Sequence, residues 1–338
     1  MFTFVCYNIH MKNLYYATFE RGVAPVIKNI IKKIDKTAII KKIYDDAVIF
    51  VAGEIFKSCY DPFKTIYQVL DSVKKTGMGA INVQLKHFLE RKDLKIYFPK
   101  EVFAFKLEYK SESQVAKPDD ALRRAVETRL KQLTKRSISF NSQNAELVFL
   151  TKSDGECLFM KKIFKNAEMA IFDEKNSYSS DVIYTLCYLS EPATNETILD
   201  PFAEKGRVSY IRSLCFKKAK VIANEKNSEF LPELKKKAKR LKEKQFSVLN
   251  YDFLDEKFPI HFIDKVISII PSFDADGYFS SNNFYKEFFN KLYGLKVKVI
   301  ALMLPKYETI DSFISEKFEI ETTLSLSKCN LIKLKYRG

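Results

Sequence analysis

Four short apolar runs in the second half of the chain each end in a polar or turn residue, spaced so that one helix fits between neighbours. Thr197–Leu199 runs into Asp200, and Pro201 forbids helix directly behind it. Lys220–Ala223 leads to Glu225, 25 residues after Asp200, and Phe246–Leu249 leads to Asp252, 27 residues further on. Lys265–Ile270 runs into Pro271-Ser272-Phe273, and a loop from Pro201 to Gly206 precedes a helical apolar pattern that starts at Val208. One Asp-Pro turn behind a strand is an ordinary turn. Four in series predict an α/β fold with a doubly wound parallel sheet and a nucleoside site at the carboxyl edge of its strands. An acidic tip on the second strand then suits a pair of ribose hydroxyls.

With 338 residues and 46% hydrophobic side chains, the chain has room for two or three globular domains. No apolar run approaches the eighteen or so residues that a membrane span needs. The opening Met1–Tyr7 lacks a basic leader and a small-residue cleavage site, so no signal peptide is expected. Six cysteines without a C-x-x-C spacing and three dispersed histidines argue against a metal site and for buried thiols in a reducing, cytoplasmic setting. The formal charge of +15 favours a polyanionic partner, and RNA is preferred over a membrane surface because no helix pairs a basic face with a broad apolar one.

The first half alternates strand and helix signals. Asn13–Phe19 alternates as a strand, Val23–Ile34 carries a helical face, and Thr37–Tyr44 with Ala47–Ala52 form a hairpin through Asp45-Asp46. Asp61–Val73 and Ile81–Leu89 are expected to be helices, and Leu94–Phe98 and Val102–Tyr109 to be extended. Pro118-Asp119-Asp120 is a helix start, and the helix it opens carries Arg123, Arg124, Arg129, Lys135 and Arg136 beside its apolar stripe, an RNA contact or a solvated face. Ser137–Phe140, Ala145–Thr151 and Glu156–Phe164 complete a strand-rich unit, and 172–180 is the best linker. Beyond the fourth tip, helices are expected at Phe284–Leu292 and Ile310–Lys317, and strands at Lys296–Leu304, Glu319–Ser325 and Asn330–Tyr336. The lysine-rich helix at 234–241 reads as a solvated face.

The order Asp200-Pro201-Phe202…Gly206, Glu225, Asp252, Pro271-Ser272-Phe273 resembles an S-adenosylmethionine-dependent methyltransferase, and more narrowly the THUMP-domain RNA guanine-N2 methyltransferases. Tyr15–Ala24 is similar to the opening strand and turn of that family. The resemblance implies an N-terminal ferredoxin-like α+β region (1–100), a THUMP-like RNA-binding domain (101–170) and a Rossmann-like seven-stranded methyltransferase domain (171–338). It also implies that Asp200, Phe202, Ala203, Gly206, Glu225, Lys226, Asp252 and Phe253 hold S-adenosylmethionine. Pro271, Ser272 and Phe273 would hold the guanine amine of tRNA, or of rRNA.

Two positions depart from the family pattern. Glu204 stands where its first motif has glycine, and Ile270 stands where its fourth motif has Asn or Asp. If position 204 needs a positive φ, a side chain there costs about 1–2 kcal/mol. Ile270 offers no acceptor to an amine. Two classes of function follow: a divergent RNA methyltransferase, or a non-catalytic RNA-binding protein that keeps the fold.

Overall fold

The computed structural model describes residues 13–53, 62–77, 79–141, 145–163, 178–216, 218–241, 246–271, 281–308, 310–314 and 316–337. The chain divides into two compact units; residues 19–30 and 62–64 group with the second.

The strands of the first unit are β1 (Asn13–Thr18), β2 (Ile39–Ile43), β3 (Ala47–Ala52), β4 (Thr65–Lys74), β5 (Ala104–Ser111), β6 (Gln114–Val115), β7 (Ser137–Ile138), β8 (Glu146–Thr151) and β9 (Glu156–Ile163). They form one sheet in the order β2-β3-β1-β4-β9-β8-β5-β6, with β7 paired to β5. Helix α1 (Ala24–Ile34) follows β1, while α2 (Ala80–Glu90) and α3 (Asp120–Thr134) supply Leu85, Phe88, Val126 and Leu130 to a core with Phe105, Leu147, Phe149 and Phe159. The other face buries Tyr16, Ile49, Tyr67, Leu150 and Met160. Asp119 caps α3 as its sequence predicts, accepting from Ala121 N and Leu122 N at 3.0 Å each.

Of the helix expected over Asp61–Val73, Thr65–Val73 is instead part of strand β4, paired with β1 and β9. Its apolar residues Ile66, Val69, Leu70 and Val73 mimic helical spacing because a bulge between Val69 and Asp71 shifts the alternation by one residue. The Leu94–Phe98 segment joins no ladder, although Leu94 and Ile96 are buried against α2 and α3.

In the second unit the elements run α4 (Ser180–Leu189), β10 (Thr197–Asp200), α5 (Arg207–Cys215), β11 (Lys220–Asn224), α6 (Leu231–Arg240), β12 (Phe246–Leu249), β13 (Lys265–Ile269), α7 (Ser281–Gly294), β14 (Val299–Pro305), β15 (Phe318–Ser325) and β16 (Cys329–Tyr336). The sheet order is β12-β11-β10-β13-β14-β16-β15. All pairings are parallel except those of β16, which runs antiparallel between β14 and β15. The helix expected over Ile310–Lys317 is a single turn among the described residues, closed by Phe313 N and Ile314 N on Ile310 O. Buried Ile310 and the stacking of Phe313 on Tyr285 at 5.5 Å set that turn, after which the chain enters β15.

This order places a topological switch between β10 and β13. From β10 the chain winds outward through β11 and β12, and from β13 it winds the opposite way through β14. A crevice opens at the carboxyl ends of adjacent strands that lead in opposite directions. Asp200, Glu225, Asp252 and Ile270-Pro271 all lie at that edge.

Candidate functional site

The three acidic tips are laced together by side chains next to them in sequence. Asn224 is fully buried, and its Nδ2 donates to the carbonyls of Pro201 and Tyr251 at 3.1 Å each. Its Oδ1 accepts from Tyr251 N at 3.2 Å. One amide therefore fixes the loop behind β10 to the loop behind β12. Asn250 Nδ2 donates to the carbonyls of Glu225 (2.7 Å) and Lys226 (3.0 Å). Sequence reasoning missed both asparagines. The available signal was their position, one residue before Glu225 and two before Asp252.

Asp200 is buried, and its two carboxylate oxygens accept from Ser268 Oγ (2.7 Å, on β13) and Ser209 Oγ (2.8 Å, on α5). This one carboxyl therefore joins β10, β13 and α5 at the switch point. Burial pushes its pKa from the usual 3.8 up to about 7; the two serines oppose that rise, and the charges of Glu204 and Glu225 add to it.

The loop behind β10 is pinned on both sides. Ala203 N donates to Asn224 O at 2.9 Å, and Glu204 N donates to Glu225 Oε2 at 2.7 Å. Glu225 Oε1 accepts from Asn227 N at 2.7 Å, so this acid organises the loop while lying at the edge of the crevice. Glu204 has φ 46° and Gly206 φ 77°, both left-handed. A Cβ on Gly206 would stand 2.3 Å from Leu234 Cδ2. Leu234 belongs to α6, whose Lys237 is buried and donates through Nζ to Lys205 O at 2.6 Å. Two residues of the lysine-rich helix thus support the loop from below, where a solvated face was expected.

Asp252 is half-exposed and pairs with Lys226 Nζ at 2.6 Å, while its Oδ1 accepts from Leu254 N at 3.0 Å. Partial burial opposes ionisation, but the Lys226 ammonium and the Leu254 N–H hold its carboxyl below the usual range. Phe202 packs in an aromatic group with Phe253, Phe284 and Phe288, at ring distances of 6.0, 5.5 and 5.8 Å. Phe253 is buried among these rings and with Phe258, so it acts as a wall behind the acidic tips. Ile270 is buried in the same core, and its N–H donates to Met303 O at 2.9 Å. Pro271 is half-buried, and Ser272 and Phe273 lie outside the described residues.

The five basic residues singled out on α3 and just beyond it divide. Arg123 is paired with Asp120 and Glu127 at 3.1 Å each, and Arg129 lies over the Phe88 ring with a hydrogen bond to Arg91 O. Arg124 and Lys135 are exposed, and half-buried Arg136 donates to Lys135 O at 3.2 Å. Just beyond Arg136, Ser137 N donates to Phe103 O at 3.3 Å, and Phe103 and Phe140 are exposed rings that sequence reasoning passed over. Among the described residues no cluster of His, Cys, Asp or Glu has the form of a metal site, and no helix is long and apolar enough to cross a membrane.

No protein-family model and no curated protein sequence matches this chain. Solved structures do. TrmN from Thermus thermophilus superposes with a TM-score of 0.76 at 11% identity, covering 96% of this chain and 99% of that one. The chain has a methyltransferase fold. A possible methylase from Clostridium difficile 630 (TM-score 0.67, 10% identity, 97% and 99% covered) shares it. So does SMU.472, solved as a complex with SAH (TM-score 0.67, 11% identity, 98% and 99% covered). In this methyltransferase fold the acidic tips of β10, β11 and β12 meet at one edge, while Ile270 turns inward.

Two predictions follow from the loop and its buried acid. Gly206→Ala should lower unfolding free energy by about 2–4 kcal/mol through left-handed strain and the Leu234 clash, whereas Glu204→Gly should raise it by about 1 kcal/mol; chemical denaturation measures both, and equal small effects would refute the strained-loop account. Folded Asp200 keeps its proton to higher pH than an unfolded aspartate, so unfolding releases it and stability falls as pH rises from about 4 to about 7. Asp200→Asn should flatten that slope in urea titrations at successive pH values, and an unchanged slope would assign it to another group.

Proposed function

We propose that the chain is an S-adenosylmethionine-dependent RNA methyltransferase that modifies the exocyclic N2 of a guanine in tRNA or rRNA. The observation that carries this reading is the lacing of the loops behind β10, β11 and β12 to one another at the switch point. The chemistry of that edge fits a cationic adenosyl donor. Glu204 and Glu225 gather negative charge behind β10, felt by Asp200 as a raised pKa, and that charge suits a sulfonium and repels the pyrophosphate of a dinucleotide. The oxygens of Glu225 each accept one backbone N–H and keep a further lone pair for a ribose hydroxyl. When bound, the donor supplies an activated methyl group on sulfur.

The residues take the following parts. Glu225 accepts from the ribose hydroxyls, and Asp252, steadied by Lys226, accepts from the adenine amine. Asp200, Phe202, Ala203 and Gly206 form the wall beneath the donor, backed by Phe253. Pro271 with Ser272 and Phe273 presents the target amine, by its carbonyl and by stacking on the extruded base. Methyl transfer is an in-line displacement, so positioning supplies most of the rate.

RNA as the partner is supported by the charge of +15 and by the surface around α3. Exposed rings beside basic side chains form stacking platforms for single-stranded bases, and Phe103 and Phe140 flank the Lys135-Arg136-Ser137 segment through the bond from Ser137 N to Phe103 O and through chain proximity. On this reading 1–100 is a ferredoxin-like region, 101–170 a THUMP-like RNA-binding domain and 171–338 the methyltransferase-like domain, acting in the cytoplasm.

A second reading, a non-catalytic RNA-binding protein with the same fold, is favoured by one observation. Ile270 is a core residue with its N–H spent on Met303 O, so this position lends the target amine no acceptor. Losing one positioned hydrogen-bonding group costs about 10²–10³ in rate.

Isothermal titration with S-adenosylmethionine tests the first reading: binding is expected, and Asp252→Ala should weaken it at least tenfold. No binding at millimolar donor would sink the enzyme reading, and mass-spectrometric mapping of methylated guanines in a deletion strain then identifies the target or leaves the second reading standing. Phe103→Ala with Phe140→Ala should weaken RNA binding by about 2 kcal/mol or more in a filter-binding assay; unchanged affinity would move the RNA surface elsewhere.

A further inference from the structure

Parallel strands β13 and β14 reach the carboxyl edge side by side: Ile269 is level with Met303, and Ile270 N donates to Met303 O at 2.9 Å. Pro271 directly follows, so it ends beside the tip of β14. From that tip the chain turns through Pro305–Glu308, closed by Glu308 N on Pro305 O at 3.1 Å. Lys306 and Tyr307 occupy the two central positions of the turn, just beyond the edge. Two neighbours hold its backbone and its last side chain. Tyr285, buried on α7, donates its hydroxyl to the Glu308 carboxylate, and Asn330 Nδ2 on β16 donates to Lys306 O at 3.3 Å. Tyr307 is nonetheless 75% exposed. Lys306 is exposed as well, and no carboxylate pairs with it among the described residues.

A turn of this kind does not call for tyrosine. Gly, Asn, Asp, Pro and Ser fill such positions because they suit the backbone. A solvent-facing ring beside an unpaired ammonium, on a turn fixed in advance, suits a base that stacks and a phosphate that follows it. We propose that Tyr307 stacks on the base next to the target guanine while Lys306 takes the adjoining phosphate. The inference rests on the RNA methyltransferase reading above, which puts the target amine at Pro271, and adds a seat for the flanking nucleotide. Pro271 ends β13 and Tyr307 lies beyond the end of β14, and neighbouring strands are about 5 Å apart. The ring therefore meets a neighbour of the guanine rather than the guanine itself. A base held this way is unpaired, so the target lies in a loop or other single-stranded segment rather than in a duplex.

The chain has no tryptophan, so Tyr307→Trp installs its sole indole, and Phe262→Trp supplies a control. Phe262 is 65% exposed and precedes Lys265, the first residue of β13, so it stands at the opposite, amino edge of the same sheet. The probes are a short single-stranded RNA with one guanine and two copies of it, each abasic on one side of that guanine. The intact strand should quench the indole of Tyr307→Trp and not that of Phe262→Trp. One of the two abasic strands should lose the quench, and annealing the intact strand to its complement should abolish it. Tyr307→Ala should weaken the intact strand about tenfold, read by the anisotropy of a labelled RNA, and leave the affinity for S-adenosylmethionine unchanged. RNA that binds Tyr307→Trp without quenching it, quenching that ignores both abasic positions, or an unchanged affinity in Tyr307→Ala overturns the inference. Failure of the strand to bind the unmodified chain at all is a distinct result, which removes the RNA reading and this inference with it.

Discussion

The buried carboxyl of Asp200 is the interaction on which the carboxyl edge of the second sheet depends. With one serine on β13 and one on α5 donating to it, this single side chain holds together the two strands that diverge at the switch point and the helix that leaves the first of them. A carboxyl taken out of water needs that many donors, because burial alone raises its cost in the charged form. Its protonation is consequently sensitive to nearby charge, and the neighbouring charges are those of Glu204 and Glu225. Structure and ligand chemistry meet at the same group.

From that centre the order spreads sideways through amides rather than through charge. Asn224 ties the β10 loop to the β12 loop, and Asn250 ties the β12 tip back to β11. Charged side chains at such positions would be drawn to solvent or to a ligand. Asparagine, with two donors and an acceptor and no charge, satisfies backbone groups without altering the local potential, and at the buried Asn224 that matters most.

Much of this was legible in the sequence, for identifiable reasons. The acidic tips at 200, 225 and 252 could be placed because the strand–turn–helix spacing is rigid, and Glu204 meets the condition, a positive φ, under which its side chain was expected to carry a cost. The clamps were not legible, because Asn224 and Asn250 work through backbone partners more than twenty residues away, which composition and periodicity do not encode. Strand β4 was misread because a bulge turns a period of two into an apparent period near three and a half. The turn at Ile310 was misread because its apolar residues serve tertiary contacts rather than a helix face. Lys237 was taken for a solvated lysine, since nothing local marks a long amphipathic stem that folds under a loop.

The placement of β16 has a consequence for biosynthesis. This strand follows β15 in the chain but lies between β14 and β15, with seven residue pairs on each side. Until Cys329–Tyr336 leaves the ribosome, β14 presents an unpaired edge and β15 has no neighbour in the sheet. The parallel core of β10–β14 is available earlier, so it must wait with one open flank that invites foreign strands. A nascent chain therefore carries that open flank while the carboxyl edge of β10, β11 and β12, built on strands already emerged, takes shape before the sheet around it is closed.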